Sequence, residues 1–191
     1  VEPPIQRRRR IVVYGRPGTP RNAFPLVVDG LRSWVALGGA TGGWVVTSAG
    51  EPHPPVDLGG GVVMDRAGKL PIDDYGRLLR ESAVGLSLMV SPHPSYPPLD
   101  MAHAGMRVVT NKFGPKDLST WHENITSVGS MTADAIGEAL LAATRAFEAD
   151  PTAGDRARPL RSDYLADGPA FPFAAELAQE LLAGSTSRRR D

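Results

Sequence analysis

"RIVVYGRPGTPRNAFPLVVDGLRSWVAL", residues 10–37, decides the fold. It opens with a short β-branched run that ends at Gly15. Beyond a Pro/Gly-rich turn the apolar residues change spacing, so that Phe24, Val27, Val28, Leu31, Trp34 and Val35 recur near helical intervals. Strand, tight turn and helix in succession are the opening unit of an α/β sheet. The turn carries Arg16 and Arg21 on either side of its Pro/Gly knot. A βα turn of this kind gathers free backbone N–H groups at a helix start, and two guanidinium groups beside them can grip a phosphate through paired N–H bonds. The plainer alternative is a pair of solvated loop arginines. No G-x-G-x-x-G follows the strand, which disfavours the dinucleotide-binding version of such a unit.

Further along, "WVVTSAG" (44–50) has the character of a second strand and "VDLGGGVV" (56–63) that of a third, broken by glycines. "PIDDYGRLLRES" (71–82) is a helix with proline near its start, and "VGLSLMV" (84–90) is a fourth strand, apolar on both faces. "SPHPSYPPLDMAHAG" (91–105) is a turn and a short helix closed by Gly105, "MRVVTN" (106–111) a fifth strand and "NITSV" (124–128) a sixth. "TADAIGEALLAATRAFEAD" (132–150) is the clearest helix, with Thr132 as N-cap and Ile136, Leu140, Ala143 and Phe147 on one apolar stripe. This alternation predicts a Rossmann-like parallel sheet of about six strands, flanked by helices, over residues 11–150. Residues 1–10 are then a basic flank. Residues 151–191 are a linker, a terminal helix at "PFAAELAQELLAG" (172–184) that docks on the domain surface, and a basic tail.

Charge is unevenly placed along the 191 residues. The formal net charge is zero, yet Arg7–Arg10 and Arg188–Arg190 supply seven of the 21 basic side chains, and residues 11–187 hold 14 basic against 19 acidic. An acidic body argues against broad nucleic-acid binding, which needs clustered Lys and Arg; binding through the arginine ends is the remote alternative. Cysteine is absent, so no disulfide framework or thiolate metal site exists. The longest apolar runs fall far short of the roughly 20 residues of a membrane helix. No charged-then-apolar leader is present, so the expectation is a soluble protein, or a fragment of one, in the cytoplasm or peripheral to a membrane within a longer enzyme.

The second informative turn is "SPHPSYPPLD" (91–100), with four prolines, two serines, a histidine and a tyrosine. Residues before proline avoid helical angles, so the helix is expected to start near Pro98. The Leu99 and Asp100 amides would then point from an open helix end toward Arg16. Asp100 either stabilises its own helix start or accepts hydrogen bonds from a sugar hydroxyl. Ser91, His93, Ser95 and Tyr96 are candidate polar contacts to a ligand. His53, His103 and His122 lack metal-ligand spacing, and no Asp-x-Asp pair occurs.

"YGRPGTPRNAF" together with "SLMVSPHPSYPPLDMAHAGMRVVTN" resembles the C-terminal, donor-binding half of GT-B glycosyltransferases over about residues 10–150. Within that group it is most similar to rhamnosyltransferases of bacterial surface-glycan assembly that use dTDP-rhamnose. The broader retaining family carries two glutamates separated by seven residues, the first contacting the donor sugar and the second the ribose. The second falls here on Asp100, and the first on Pro92, with His93 beside it. The resemblance implies that Arg16 and Arg21 hold the donor diphosphate and stabilise it as a leaving group, and that the segment from Gly61 to Met64 is the loop beside the nucleobase, with Gly61 and Val62 as its contacts. It further implies a dTDP- or UDP-linked sugar as ligand, no cofactor and no metal. The acceptor would be held by an N-terminal domain outside this chain, so that the chain alone is inactive. A non-catalytic module that binds a nucleotide or sugar nucleotide is the alternative.

Overall fold

A computed structural model describes residues 6–93, 95–157, 173–174 and 176–179. The chain divides into two units, Val1–Leu160 and Arg161–Asp191. In the first, β1 (Arg8–Gly15), β2 (Val45–Gly50), β3 (Val56–Gly59), β4 (Val62–Gly68), β5 (Ser82–Leu86), β6 (Arg107–Asn111) and β7 (Ile125–Val128) form one sheet in the order β3-β4-β2-β1-β5-β6-β7. Only the β3–β4 pair is antiparallel; every other pairing is parallel. The glycine-broken third strand is therefore two strands of an edge hairpin. Gly59, Gly60 and Gly61 all hold positive φ in its turn, which a chain with side chains there would resist. In the second unit the Leu177 N–H donates to the Phe173 carbonyl at 3.0 Å, one helical turn. Of the expected linker, residues 151–157 are described and belong to the first unit; the rest of it, of the terminal helix and of the arginine tail lies outside the described residues.

Helices α1 (Phe24–Ala36) and α4 (Ala133–Ala149) pack together on one face of the sheet, while α2 (Ile72–Arg80) and α3 (Tyr96–His103) lie against β5 and β6 on the other. Two glycines set the α1–α4 spacing. A Cβ on Gly30 would lie 2.4 Å from Ile136 Cγ2, and one on Gly137 would lie 2.9 Å from the Trp34 backbone nitrogen. Neither position tolerates a side chain without separating the helices. Beneath them Trp34 meets Trp44 edge-to-face at 6.5 Å and Trp44 meets Phe147 at 5.8 Å, closing an aromatic core. Thr132 caps α4 by accepting from the Ala135 N–H at 3.3 Å.

Two boundaries differ from the sequence pattern. Strand β5 ends at Leu86, four residues short of Val90, because the peptides beyond it are claimed elsewhere: the Met89 N–H by Asn111 Oδ1 at 2.7 Å and the Val90 N–H by the Arg21 carbonyl at 2.7 Å. At the other end β1 begins at Arg8, inside the expected flank. Arg7 is no solvated arginine: its side chain is 3% exposed and pairs with Asp155, which lies in a 3-10 turn (Ala153–Arg156) just after α4. Its guanidinium also donates to the carbonyls of Arg80 and Ser82, both at 2.9 Å, and to that of Ala104.

That socket makes a measurable prediction. Arg7→Ala should lower the unfolding free energy by about 1.5–3 kcal/mol, the range for hydrogen bonds to a charged group. Arg9→Ala, half exposed and paired loosely with Glu148, should change it by less than about 0.5 kcal/mol. Urea denaturation of both variants tests the difference, and equal small effects would return Arg7 to the solvated flank.

Candidate functional site

Counting only its parallel strands, the sheet has the doubly wound order, with the chain leaving β1 toward one edge and leaving β5 toward the other. A crevice opens at the carboxyl ends of these two neighbours. The segments that follow them are joined by the Arg21–Val90 backbone bond and by Asn22 Nδ2, which donates to the Leu88 carbonyl at 3.2 Å. Each flanking helix starts immediately after a non-glycine residue in the left-handed region, Ala23 (φ 49°) before α1 and Ser95 (φ 70°) before α3. Such conformations cost of order 1 kcal/mol each and are held only where the surroundings demand them.

A cavity of about 390 Å³ at this point brings Arg16 and Arg21 together with Ser91, His93, Ser95 and Tyr96, six of the residues singled out from sequence. His93 is braced within the turn: its N–H donates to Ser91 Oγ at 3.2 Å, its Nδ1 accepts from the Ser95 N–H at 3.1 Å, and its ring meets Tyr96 edge-on at 5.8 Å. Two buried polar atoms of cavity-lining residues, Asn22 Oδ1 and Ser95 Oγ, have no partner among the described residues. A second cavity of about 530 Å³ shares Tyr14 and Arg16 with the first and extends across the ends of β2 and β4, over Glu51, Lys69, Leu70 and Tyr75.

Glu51, which the sequence reading passed over, organises the arginine turn. Its Oε1 accepts from Arg16 Nε and Thr19 Oγ1, both at 3.0 Å, and its Oε2 from the Gly18 N–H at 2.7 Å. Donation from the Gly18 amide, then from Thr19 and Arg16, holds the Glu51 carboxyl below the usual carboxylate range. The same contact raises the Arg16 guanidinium. Glu51 thus takes Nε of Arg16, a residue that lines both cavities. The clue in the sequence was position alone: Glu51 directly follows a strand that neighbours β1.

Four expected residues are placed otherwise. Helix α3 starts at Tyr96, two residues earlier than expected, because Pro97 and Pro98 fit its first turn, where no intrahelical N–H bond is needed. Leu99 is fully buried and its amide, like that of Asp100, falls within the helical ladder rather than at an open end. The Asp100 side chain lies outside both cavities, in a third one with Tyr75, Arg7 and His103. Desolvation raises its carboxyl, with the nearby His103 acting the other way. Gly61 and Val62 lie at the opposite edge of the sheet from Arg16. Since β4 runs parallel to β1 and β2, its end near the crevice is Gly68 and its start is the far one. Gly60 accordingly packs near Val35, at the far end of α1. Among the described residues no group of three or more His, Asp or Glu side chains is arranged to hold a metal ion, and no helix is long and apolar enough to cross a membrane.

Comparison with known proteins agrees with this fold. The chain is 42% identical over 110 residues to the O-antigen biosynthesis protein RfbC of Myxococcus xanthus, a match covering 57% of this chain and 8% of that protein. Among solved structures it resembles the pneumococcal O-GlcNAc transferase GtfA in complex with UDP and GlcNAc (TM-score 0.54, 10% identity, 76% of this chain and 30% of that one). It also resembles WaaG, a glycosyltransferase involved in lipopolysaccharide biosynthesis (TM-score 0.51, 13% identity, 86% of this chain and 48% of that one). These likenesses show the fold, one half of the GT-B architecture, and the chain spans less than half the length of each of these three proteins. Residues 9–141 match the family described as "WsaF, C-terminal domain", and the chain belongs to that family.

Proposed function

We propose that this domain binds the sugar-nucleotide donor of a glycosyltransferase that acts in surface-polysaccharide assembly. The observation that carries the reading is the convergence of Arg16 and Arg21, from one turn, with the start of α3, from another, on a single cavity at the switch point of the sheet. Two guanidinium groups and a helix N-terminus offset the charge of a nucleoside diphosphate and stabilise it as it departs from the sugar, so that the chemistry rests on leaving-group electrostatics. The sugar would lie toward Ser91, His93 and Ser95. The nucleoside would extend from Arg16 into the second cavity, where Tyr14, Leu70 and Tyr75 offer aromatic and apolar surface.

Two solved structures of similar fold support a uridine diphosphate sugar or its thymidine counterpart: one holds UDP and GlcNAc, and another holds UDP-2-fluoro glucose. The specific run at residues 91–98 favours dTDP-rhamnose within that class. The acceptor would be bound by another domain of a longer protein, and this chain alone would transfer nothing. Asp100 lies outside both of these cavities, and the cavity that it borders shares Ile72 and Tyr75 with the nucleoside cavity.

Calorimetry with UDP and dTDP should detect binding to the isolated chain. Arg16→Ala or Arg21→Ala should weaken it by about 1.5–3 kcal/mol while leaving thermal stability and nucleoside affinity nearly unchanged. Equal losses for nucleoside and diphosphate would remove both arginines from the phosphate.

A second experiment addresses the ribose. Asp100→Asn keeps the shape but replaces a charged acceptor with a neutral one. A carboxylate that accepted from the ribose would lower affinity several-fold on this change, and more for UDP, whose ribose has two hydroxyls, than for dTDP, whose sugar has one. Unchanged affinity for both ligands would assign Asp100 to its helix alone.

A further inference from the structure

Lys116 is a buried cation with no counter-charge. It is 6% exposed, and its Nζ donates to the Met89 carbonyl at 2.7 Å. No carboxylate lies within ion-pair distance of it among the described residues. The adjacent Asp117 is turned away, paired with Lys112 at 2.7 Å and accepting from Ser119. The local backbone is built to deliver this side chain. Phe113 and Lys116 exchange both backbone hydrogen bonds, at 3.1 and 3.0 Å, around Gly114 at φ 53°, so the chain after β6 doubles back and projects the lysine against the segment that follows β5.

Hydrogen bonding alone does not account for an ammonium at this position. The Met89 peptide is already satisfied on both sides by Asn111, whose Oδ1 accepts from its N–H at 2.7 Å and whose Nδ2 donates to its carbonyl at 3.1 Å. What the lysine adds is charge, and an uncompensated buried charge is costly to the ligand-free protein. Burial accordingly lowers its pKa. Met89, the residue it holds, also lines the cavity of Arg16 and Arg21, so the cation stands behind the wall of the proposed diphosphate site.

We propose that Lys116 is a positioning residue of the donor site whose buried charge is compensated by the diphosphate itself: it fixes the Met89 wall and, through the low-dielectric interior, adds a third positive charge to those of Arg16 and Arg21. The inference rests on the reading of that cavity as a diphosphate site. Touching the wall and not the ligand, Lys116 contributes long-range attraction that grows with ligand charge.

The test is a charge series, uridine, UMP and UDP, together with thymidine, dTMP and dTDP, titrated into the wild-type chain and into Lys116→Gln and Lys116→Met. Gln keeps a neutral donor for Met89, and Met keeps only the volume. Both variants should bind the nucleoside as the wild type does, the monophosphate about threefold more weakly and the diphosphate about tenfold more weakly. In the absence of ligand, Lys116→Met should melt no lower than the wild type, because it removes an unpaired buried charge. A loss of equal size for all three members of a series, or no loss, would overturn the role of Lys116 while leaving the diphosphate site intact. So would a normal affinity in Lys116→Gln beside a weakened one in Lys116→Met, since the donor and not the charge would then matter. Failure of the wild type to bind either diphosphate would overturn both readings.

Discussion

The domain depends on one arrangement: two neighbouring parallel strands, β1 and β5, whose chains must leave in opposite directions. Peptide groups at such a divergence lose their ladder partners and must be satisfied locally, since buried N–H and C=O groups left unpaired cost free energy comparable to a lost hydrogen bond. Here the solution is reciprocal. The turn after β1 offers the Arg21 carbonyl and the Asn22 amide, and the segment after β5 offers the Val90 N–H and the Leu88 carbonyl. The bonds that repair the sheet also hold the two arginines and the proline-rich turn around one space.

A layer of support surrounds that junction. Glu51, from the end of β2, fixes the arginine turn from one side, and Asn111 and Lys116, from β6 and the loop after it, fix the Met89 peptide from the other. Each consecutive strand across this part of the sheet, or the segment that follows it, thus contributes at least one polar side chain to the crevice or its wall. Left-handed backbone at Ala23 and Ser95 is sustained in the same region, where several neighbours specify each position at once.

The order of strands and helices was legible in the sequence because a covered parallel sheet leaves strong marks: unbroken apolar strands, an apolar stripe on α4, and glycine and proline gathered at strand ends. The same rule pointed to Arg16, Arg21, Ser91, His93, Ser95 and Tyr96, which follow the two strands at the switch point and line one cavity. It failed where three-dimensional direction mattered. The glycines of the β3–β4 turn announce a tight turn but not which edge of the sheet it occupies, so Gly61 and Val62, expected beside a ligand, lie at the far edge from Arg16. Glu51, Asn22 and Lys116 carry no motif; their importance comes from which strands are neighbours, and no local pattern records that. Asp100 was displaced by helical phase, because two prolines that read as a helix boundary are accommodated inside the first turn.

Arg7 and Asp155 join the point where the chain enters the sheet to the point where it emerges from α4, at the amino edge, away from the crevice. Segments before and after the domain therefore depart from almost the same place. A pull applied between them would load this clamp first, so mechanical tension would be spent on extracting the buried Arg7 guanidinium before it reached β1 and the crevice at its other end.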